Sequence, residues 1–242
     1  MIRDIAYTFA LHMTGLLVFA VLVRARRPVA MAPLAMAVGV LAVYWVVVWA
    51  GLSLQPHVPW LAHLRWNWLG KALAIVIDLT ILAAMSGIRL SDAGVTWGQR
   101  AGWCVPALLV VALTCAFSWA VQALFDGQRH LETERLVYQA TMPGLDEEIF
   151  WRGLLLAWLV RAFGRGVSLA GARFGFAEVA VTLLFAAGHS LAVSAGSIQF
   201  DGLAFAVTGL IGASLMWLRT RTGSLLVPVL AHNIVNVGNA FF

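Results

Sequence analysis

Pro143–Gly153 reads Pro-Gly-Leu-Asp-Glu-Glu-Ile-Phe-Trp-Arg-Gly and is followed at once by the apolar run Leu-Leu-Leu-Ala-Trp. The adjacent glutamates Glu147 and Glu148 and the arginine Arg152 therefore stand at the head of an apolar helix. An ionised side chain at the centre of a bilayer costs roughly 2.5–3.5 kcal/mol on insertion scales, so such residues usually face a protein interior or a wet cavity. The stretch predicts a polar functional site within a bundle of apolar helices.

The composition identifies the class of protein to which this bundle belongs. The chain has 242 residues, of which 62% are hydrophobic and 11% charged, and its mean hydropathy is +0.88. A soluble domain is nearer half apolar and a quarter charged. We therefore predict an all-α, polytopic membrane helix bundle with a polar intramembrane cavity. The net charge of +5 does not indicate nucleic-acid binding, because the arginines lie in short loops between apolar runs.

The apolar runs predict about eight transmembrane helices, since each span needs about 20 residues. They cover 5–23, 29–51, 68–88, 103–124, 143–163, 176–194, 202–217 and 225–242. Between the fourth and fifth spans, the polar stretch 126–140 predicts an amphipathic surface helix, and Pro143 predicts the first turn of the fifth span. We divide this one integrated membrane domain into 1–125 with helices one to four and 126–242 with helices five to eight.

The distribution of arginine predicts the orientation of the bundle. Ten arginines follow spans one, three, five and seven: Arg24, Arg26, Arg27, Arg89, Arg100, Arg161, Arg165, Arg173, Arg219 and Arg221. Four lie on the opposite side: Arg3, Arg65, Arg129 and Arg135. The ten-arginine side, which we call the arginine-rich face, should be cytoplasmic, with both termini outside. The excess of arginine over lysine, fifteen to one, favours a bacterial inner-membrane protein.

The strongly polar residues of three spans fall at one depth. Glu147 and Glu148 lie near the outer start of span five, His189 near the outer end of span six, and His232 with Asn236 in the middle and outer part of span eight. Antiparallel alternation brings these residues into one layer whichever way the bundle is inserted. We therefore predict a shared cavity that opens where spans six and eight end.

Helical spacing assigns these side chains to faces. Glu148 and Arg152 are four residues apart and can pair on one side of the helix. Glu147 points about 100° away from Glu148 because a helix has 3.6 residues per turn. Phe185 and His189 are also four apart, which predicts an aromatic wall beside an imidazole.

Other polar residues receive structural interpretations. Asp146 is expected to complement a helix dipole, and Lys71 to extend toward the interface with Asp78, seven residues on, as its partner. Asn233 and Asn239 are expected to pack helices together. Three histidines are expected in interfacial loops: His57, His63 and His130.

Three motifs in the second half of the chain carry a family resemblance. Residues 147–152 match EExxxR, residues 185–189 match FxxxH and residues 232–236 match HxxxN. In this order, and on the last four of eight spans, they resemble the type II CAAX prenyl endopeptidase and bacteriocin-processing family of intramembrane proteases. The resemblance covers about 126–242, which we interpret as the catalytic helices.

The resemblance implies a glutamate-dependent peptidase without a cofactor. Glu147 and His189 would activate a water molecule, and His232 and Asn236 would hold the developing oxyanion. Three further residues would support the site: Glu148, Arg152 and Phe185. The implied partners are membrane lipid and a peptide or protein substrate near a membrane anchor. A lipidated tail, a bacteriocin leader or a C-terminal sorting signal of an exported protein would each fit.

Two alternatives stay open at this point. Glu147, His189 and His232 could instead form a two-histidine, one-carboxylate site for a divalent metal such as zinc, although the sequence contains no HExxH. A protein of another class, a non-proteolytic membrane immunity or scaffold factor, could use the same polar cluster for binding. A transporter is disfavoured because the chain shows no internal repeat.

Overall fold

The structure, a computed structural model, describes residues 2–85 and 87–242 and is largely helical. The helices are α1 (Ile2–Arg24), α2 (Met31–Leu54), α3 (Trp68–Ala84), α4 (Cys104–Phe125), α5 (Thr133–Glu147), α6 (Leu156–Phe163), α7 (Phe176–Ser190), α8 (Gly202–Thr222) and α9 (Leu226–Asn239). A π-helical segment, Glu148–Leu155, joins α5 to α6 without a break. A 3₁₀ turn, Gln55–His57, follows α2.

Four of the described helices are long and apolar enough to cross a membrane. They are Arg3–Arg24, Met31–His57, Cys104–Phe125 and Gly202–Thr222. They support the predicted integral membrane protein. The other predicted spans correspond to shorter helices, such as the 17 residues of α3 and the 14 of α9, so the count of eight spans stays a prediction.

The helix that carries the glutamates occupies the centre of the bundle. All eight residues of the π segment are buried, and Leu159 in α6 is fully enclosed. The ring of Phe150 stacks on that of Tyr44 in α2, with centroids 3.8 Å apart and 7° between the planes. A helix that is apolar all round must be covered by neighbours, and here α2, α3 and α7 cover it.

The predicted start of this helix was wrong. The helix begins at Thr133, and Pro143 lies inside it rather than in its first turn. The stretch 126–140 is therefore no separate surface helix, because its second half belongs to α5. The α5 backbone is held against α9, where Asn233 Oδ1 accepts a hydrogen bond from the Gly144 N–H at 2.8 Å. The expected packing role of Asn233 is confirmed.

Two short β-hairpins interrupt the predicted all-helical fold. Strands β1 (Val167–Leu169) and β2 (Ala172–Phe174) pair antiparallel, as do β3 (Leu191–Ser194) and β4 (Ser197–Phe200). The two residues between the strands have positive φ in both hairpins: Ala170, Gly171, Ala195 and Gly196. Such two-residue turns usually carry Asn-Gly or Asp-Gly. Here the first turn residue is alanine, which does not indicate a turn of this type, so the hairpins were not predicted.

Candidate active site

Glu147 is the last residue of α5, and its two carboxylate oxygens have different surroundings. Oε1 accepts a hydrogen bond from Lys71 Nζ at 2.8 Å. Oε2 lies 3.7 Å from His189 Nε2 and 3.9 Å from His232 Nε2. Within the described residues, Oε2 is buried and has no hydrogen-bond partner. It is therefore an unused acceptor that faces two imidazoles, and the predicted convergence of these three side chains is found.

Lys71 corrects two of the sequence-based interpretations. Its ammonium group lies inside the site and contacts Asp146 Oδ2 at 2.6 Å as well as Glu147. Asp146 is fully buried and also accepts a hydrogen bond from the Tyr44 hydroxyl at 2.8 Å, so it does not complement a helix start. No ion pair joins Lys71 to Asp78 in the described part of the chain. The shared face of α3 did not predict the partner of Lys71, because α3 packs against α5 and brings the lysine to the carboxylates there.

Glu148, the first residue of the π segment, faces away from Glu147 and forms the predicted pair with Arg152. Arg152 Nη1 contacts Glu148 Oε1 at 3.0 Å, and both side chains are fully buried. The guanidinium group also donates to the Gly212 carbonyl of α8 and lies 4.0 Å above the ring of Phe185. The pair therefore ties the central helix to α7 and α8. π-helical segments occur frequently at functional sites.

His189 lies in the last turn of α7, because that helix ends at Ser190 rather than at 194. Its Nδ1 is 2.8 Å from the backbone carbonyl of Phe185. A carbonyl oxygen only accepts hydrogen bonds, so Nδ1 carries the proton, and Nε2 of a neutral His189 is left with a lone pair toward Glu147. The Phe185 ring lies beside the imidazole, with centroids 4.6 Å apart, which confirms the aromatic wall.

His232 is held from the opposite side of the site by Glu148. Its Nδ1 lies 2.8 Å from Glu148 Oε1, and because Glu148 also binds Arg152, the carboxylate form accepts this bond. Nε2 then points toward Glu147. Asn236 lies one turn further along α9 and is partly exposed, on the same cavity as His232.

One cavity of about 480 Å³ joins these residues. Its lining includes the four residues predicted to be catalytic and two others of the site: Glu147, His189, His232, Asn236, Lys71 and Phe185. The lining comes from the C-terminal ends of α7 and α9 and the N-terminal half of α8, together with α3, α4 and α5. This is the end of the bundle at which the opening was predicted.

The same three side chains can be tested against the geometry of a metal site. Ligands about 2.1 Å from a tetrahedral zinc are about 3.4 Å apart, somewhat closer than the 3.7 Å and 3.9 Å that separate Glu147 from His189 and His232. The Lys71 ammonium also already holds one oxygen of the carboxylate. Across residues 2–85 and 87–242, no group of three or more His, Cys, Asp or Glu is arranged to hold a metal ion.

Sequence reasoning missed Lys71, Asp146 and Tyr44 as members of the site. The run of three consecutive acids, Asp146 to Glu148, was a usable signal, because three buried carboxylates require cations. Lys71 is the only lysine of the chain and lies within an apolar run, which was a second signal. Tyr44 gave none.

Comparison with known proteins agrees with this geometry. Residues 129–238 match the family model described as type II CAAX prenyl endopeptidase Rce1-like. This part of the chain is similar to the Rce1-like family. The resemblance inferred from the three motifs is thereby confirmed, and the family is one of proteases. No curated protein and no solved structure matches the chain.

The Rce1-like region does not contain the whole site. It includes Glu147, His189, His232 and Asn236, and it ends one residue before the end of α9. Lys71 lies before its first residue and enters the site from α3. The N-terminal helices therefore contribute a charged group directly to the cavity of the family region.

Proposed function

We propose that this protein is an intramembrane endopeptidase in which Glu147, not a metal ion, activates the attacking water. The observation that carries the proposal is the unpartnered Glu147 Oε2, which faces Nε2 of His189 and of His232 at 3.7 Å and 3.9 Å. A water molecule in this space would donate to the carboxylate and to a neutral His189 at once. General-base catalysis requires such hydrogen-bond reach, directly or through one water.

The attacking step follows from these positions. The water oxygen bonds to the carbonyl carbon of the scissile peptide, and its proton passes to Glu147 or His189. The C–N bond then breaks, and the departing nitrogen takes that proton, which gives a carboxylic acid and an amine. The acid then passes its proton to the amine, so that a carboxylate and an ammonium group are released. Lys71 holds Glu147 Oε1 and leaves Oε2 as the acceptor on the cavity side.

His232 and Asn236 would bind the oxyanion that forms on the carbonyl oxygen. Because Glu148 accepts the Nδ1 proton of His232, Nε2 can donate only when the ring is an imidazolium. The Asn236 amide would supply a second donor, and loss of one such donor typically costs about 10²–10³ in kcat.

The charges of the buried cluster do not balance. The buried cluster contains three carboxylates and two permanent cations: Asp146, Glu147, Glu148, Lys71 and Arg152. With neutral histidines and ionised acids it would carry one net negative charge in a region of low dielectric constant. One additional proton, on an imidazole or a carboxyl group, balances the cluster. A proton on His232 would satisfy this balance and would give Nε2 a proton to donate to the oxyanion.

We further propose that the substrate is a membrane-anchored or exported polypeptide cut near one end. The arginine count favours an orientation in which both termini and the catalytic cavity lie on the outer side of a bacterial inner membrane. A bacteriocin leader or a C-terminal sorting signal would reach a site on that side, whereas a cytosolic lipidated tail would not. Reaction of single engineered cysteines in the loop after α4 with a membrane-impermeant reagent tests this, and labelling from the cytoplasmic side alone would overturn the orientation.

The mechanism is tested by Glu147→Gln, which keeps the shape of the side chain and removes the base. Cells that express the wild type or the variant are compared by mass spectrometry of protein termini, and the variant is used to trap bound substrate. We expect new termini only with the wild type. Glu132→Gln is the matched control, since Glu132 is exposed before α5. Identical termini from Glu147→Gln cells and wild-type cells would refute the proposed base.

A metal-dependent peptidase is the second candidate, and one observation favours it. Both histidines have Nδ1 held by an acceptor, a carbonyl for His189 and a carboxylate for His232, as metal-ligating histidines commonly do. Together with Glu147 they would be the ligands. However, Glu147 lies farther from the two histidines than zinc ligands lie from one another, and Lys71 already binds the carboxylate. The arrangement therefore fits a water molecule better than a metal ion.

A further inference from the structure

A second cavity, of about 490 Å³, lies at the other end of the bundle and is lined by arginine. Its six arginines are Arg89, Arg100, Arg161, Arg165, Arg173 and Arg219. Among the residues that the structure describes, it shares no lining residue with the catalytic cavity. All six belong to the arginine-rich face. Membrane orientation requires arginines on that face, but it does not require that four separate loops and helix ends direct them into one cavity.

Acidic side chains compensate only a small part of this charge. The cavity contains two carboxylates, Asp92 and Glu178. Asp92 is paired with Arg89 at 3.3 Å. Glu178 is buried, and its Oε2 has no hydrogen-bond partner in the described residues. The remaining arginines therefore face the cavity in excess of the acids.

Two of the guanidinium groups are fixed in place by backbone carbonyls. Arg219 is buried and donates from Nε to the Arg152 carbonyl at 3.1 Å and from Nη2 to the Asp92 carbonyl at 2.9 Å. Arg100 donates to the Thr220 carbonyl. Neutral acceptors orient these groups without cancelling their charge, which leaves the rim of the cavity preorganised for an anion.

Two other arginines are available for a ligand. The side chains of Arg165 and Arg173 are exposed, and neither guanidinium group makes a hydrogen bond or an ion pair with another described residue. Burial, and after it repulsion by the charges of Arg173 and Arg221, lowers the pKa of Arg100. A bound anion would relieve that repulsion.

We propose that this arginine cavity binds a phosphate group, supplied by the headgroup of an anionic phospholipid at the arginine-rich face. Planar guanidinium groups bind phosphate oxygens in pairs. The volume falls within the roughly 300–1,000 Å³ of typical ligand pockets. Basic pockets between membrane helices on the cytoplasmic side are suited to anionic lipid headgroups. Free phosphate shares this chemistry, and the experiment separates the two sources.

The test uses the full chain in detergent micelles and native mass spectrometry of bound lipid. Phosphatidylglycerol and phosphatidylcholine are titrated separately, and inorganic phosphate is titrated in a thermal-unfolding assay. The variant Arg165→Gln/Arg173→Gln removes the two unpaired arginines. Arg24→Gln/Arg26→Gln is the matched control, because it removes two exposed charges from the same face outside the cavity.

We expect phosphatidylglycerol to bind more tightly than phosphatidylcholine and to be competed by inorganic phosphate. The cavity variant should weaken phosphatidylglycerol binding roughly 25-fold, since each basic side chain near an anionic headgroup contributes about fivefold and two are removed. The control should stay within about twofold of wild type. Equal binding of both lipids, with phosphate binding that still depends on Arg165 and Arg173, supports the anion site but overturns the lipid source. Unchanged binding of both probes in the cavity variant overturns the site.

Discussion

Replacement of Lys71 by methionine tests whether the N-terminal helices hold Glu147, the proposed base, in place. The ammonium group contacts Asp146 at 2.6 Å and Glu147 at 2.8 Å, in a site where these side chains are at most 12% exposed. Methionine keeps the length of the side chain and removes the charge. Two carboxylates would then share the interior without their cation.

The expected loss follows from the cost of an unpaired buried charge. Removal of one partner from a buried ion pair typically costs about 3–5 kcal/mol, and we expect Lys71→Met to lower the free energy of unfolding by that amount. Lys71→Met/Asp146→Asn should lose less than the sum of the single variants, because the second change removes one unpaired charge. Coupling between contacting residues is typically about 0.5–3 kcal/mol.

The assay is reversible unfolding by SDS in mixed micelles, followed by tryptophan fluorescence. The chain has eleven tryptophans, and Trp68 lies in α3 near the substituted residue. Arg129→Met is the control, because Arg129 is exposed before α5, and such surface changes stay within about 0.5 kcal/mol. If Lys71→Met matches the control in stability, or if the double variant is simply additive, the proposed role of the ammonium group is wrong.

Three further predictions concern packing, the oxyanion and the metal alternative. Gly144→Ala should destabilise the protein by about 1–3 kcal/mol in the same assay, because the new Cβ would lie 2.4 Å from Asn233 Oδ1 and 2.6 Å from the Val229 carbonyl; Gly39→Ala, with open space around it, should cost nothing. Asn236→Ala should lower kcat about 10²–10³-fold with an unchanged circular dichroism spectrum, and a kcat near wild type would remove the amide from the oxyanion site. Cleavage should persist after dialysis against a strong chelator, whereas loss of activity that zinc restores would establish the metal site.

The convergence of the proposed catalytic side chains could be predicted because it depends on depth alone. Antiparallel helices of known length fix the level of Glu147, His189 and His232 without any knowledge of which helices are neighbours. The i,i+4 spacing likewise anticipated the pair between Glu148 and Arg152, which the structure shows at 3.0 Å. Both inferences use only the rise and the period of a helix.

The π segment lay beyond that kind of inference. A uniform period of 3.6 residues was assumed through Glu148–Leu155, where the structure has i→i+5 geometry. No residue type in Ile-Phe-Trp-Arg predicts a π-helical segment, because the formation of such a segment depends on how the surrounding helices pack. Pro143 led to a wrong prediction of where the helix starts. Its preference for a first turn was overridden by the contacts of α5 with α9.

The sequence also does not reveal which helices pack against each other, and this explains the wrong partner predicted for Lys71. The spacing of seven residues places Lys71 and Asp78 on one face of α3. It does not predict that α3 packs against α5, where Asp146 and Glu147 are the carboxylates that Lys71 contacts. Charge balance, however, indicated that the site needs another cation. Three acids in the central helix exceed the single arginine beside them, so another cation had to come from elsewhere in the chain.

The site therefore depends on helices outside the Rce1-like region. Tyr44 and Lys71 belong to α2 and α3, and both bind Asp146, the residue that precedes the proposed base. A fragment restricted to residues 129–238 would keep every proposed catalytic side chain but would leave Asp146 and Glu147 buried without their ammonium group. Such a fragment should fail to fold or should lose activity. On the proposed mechanism, the first helices are thus part of the active site rather than a membrane anchor attached to it.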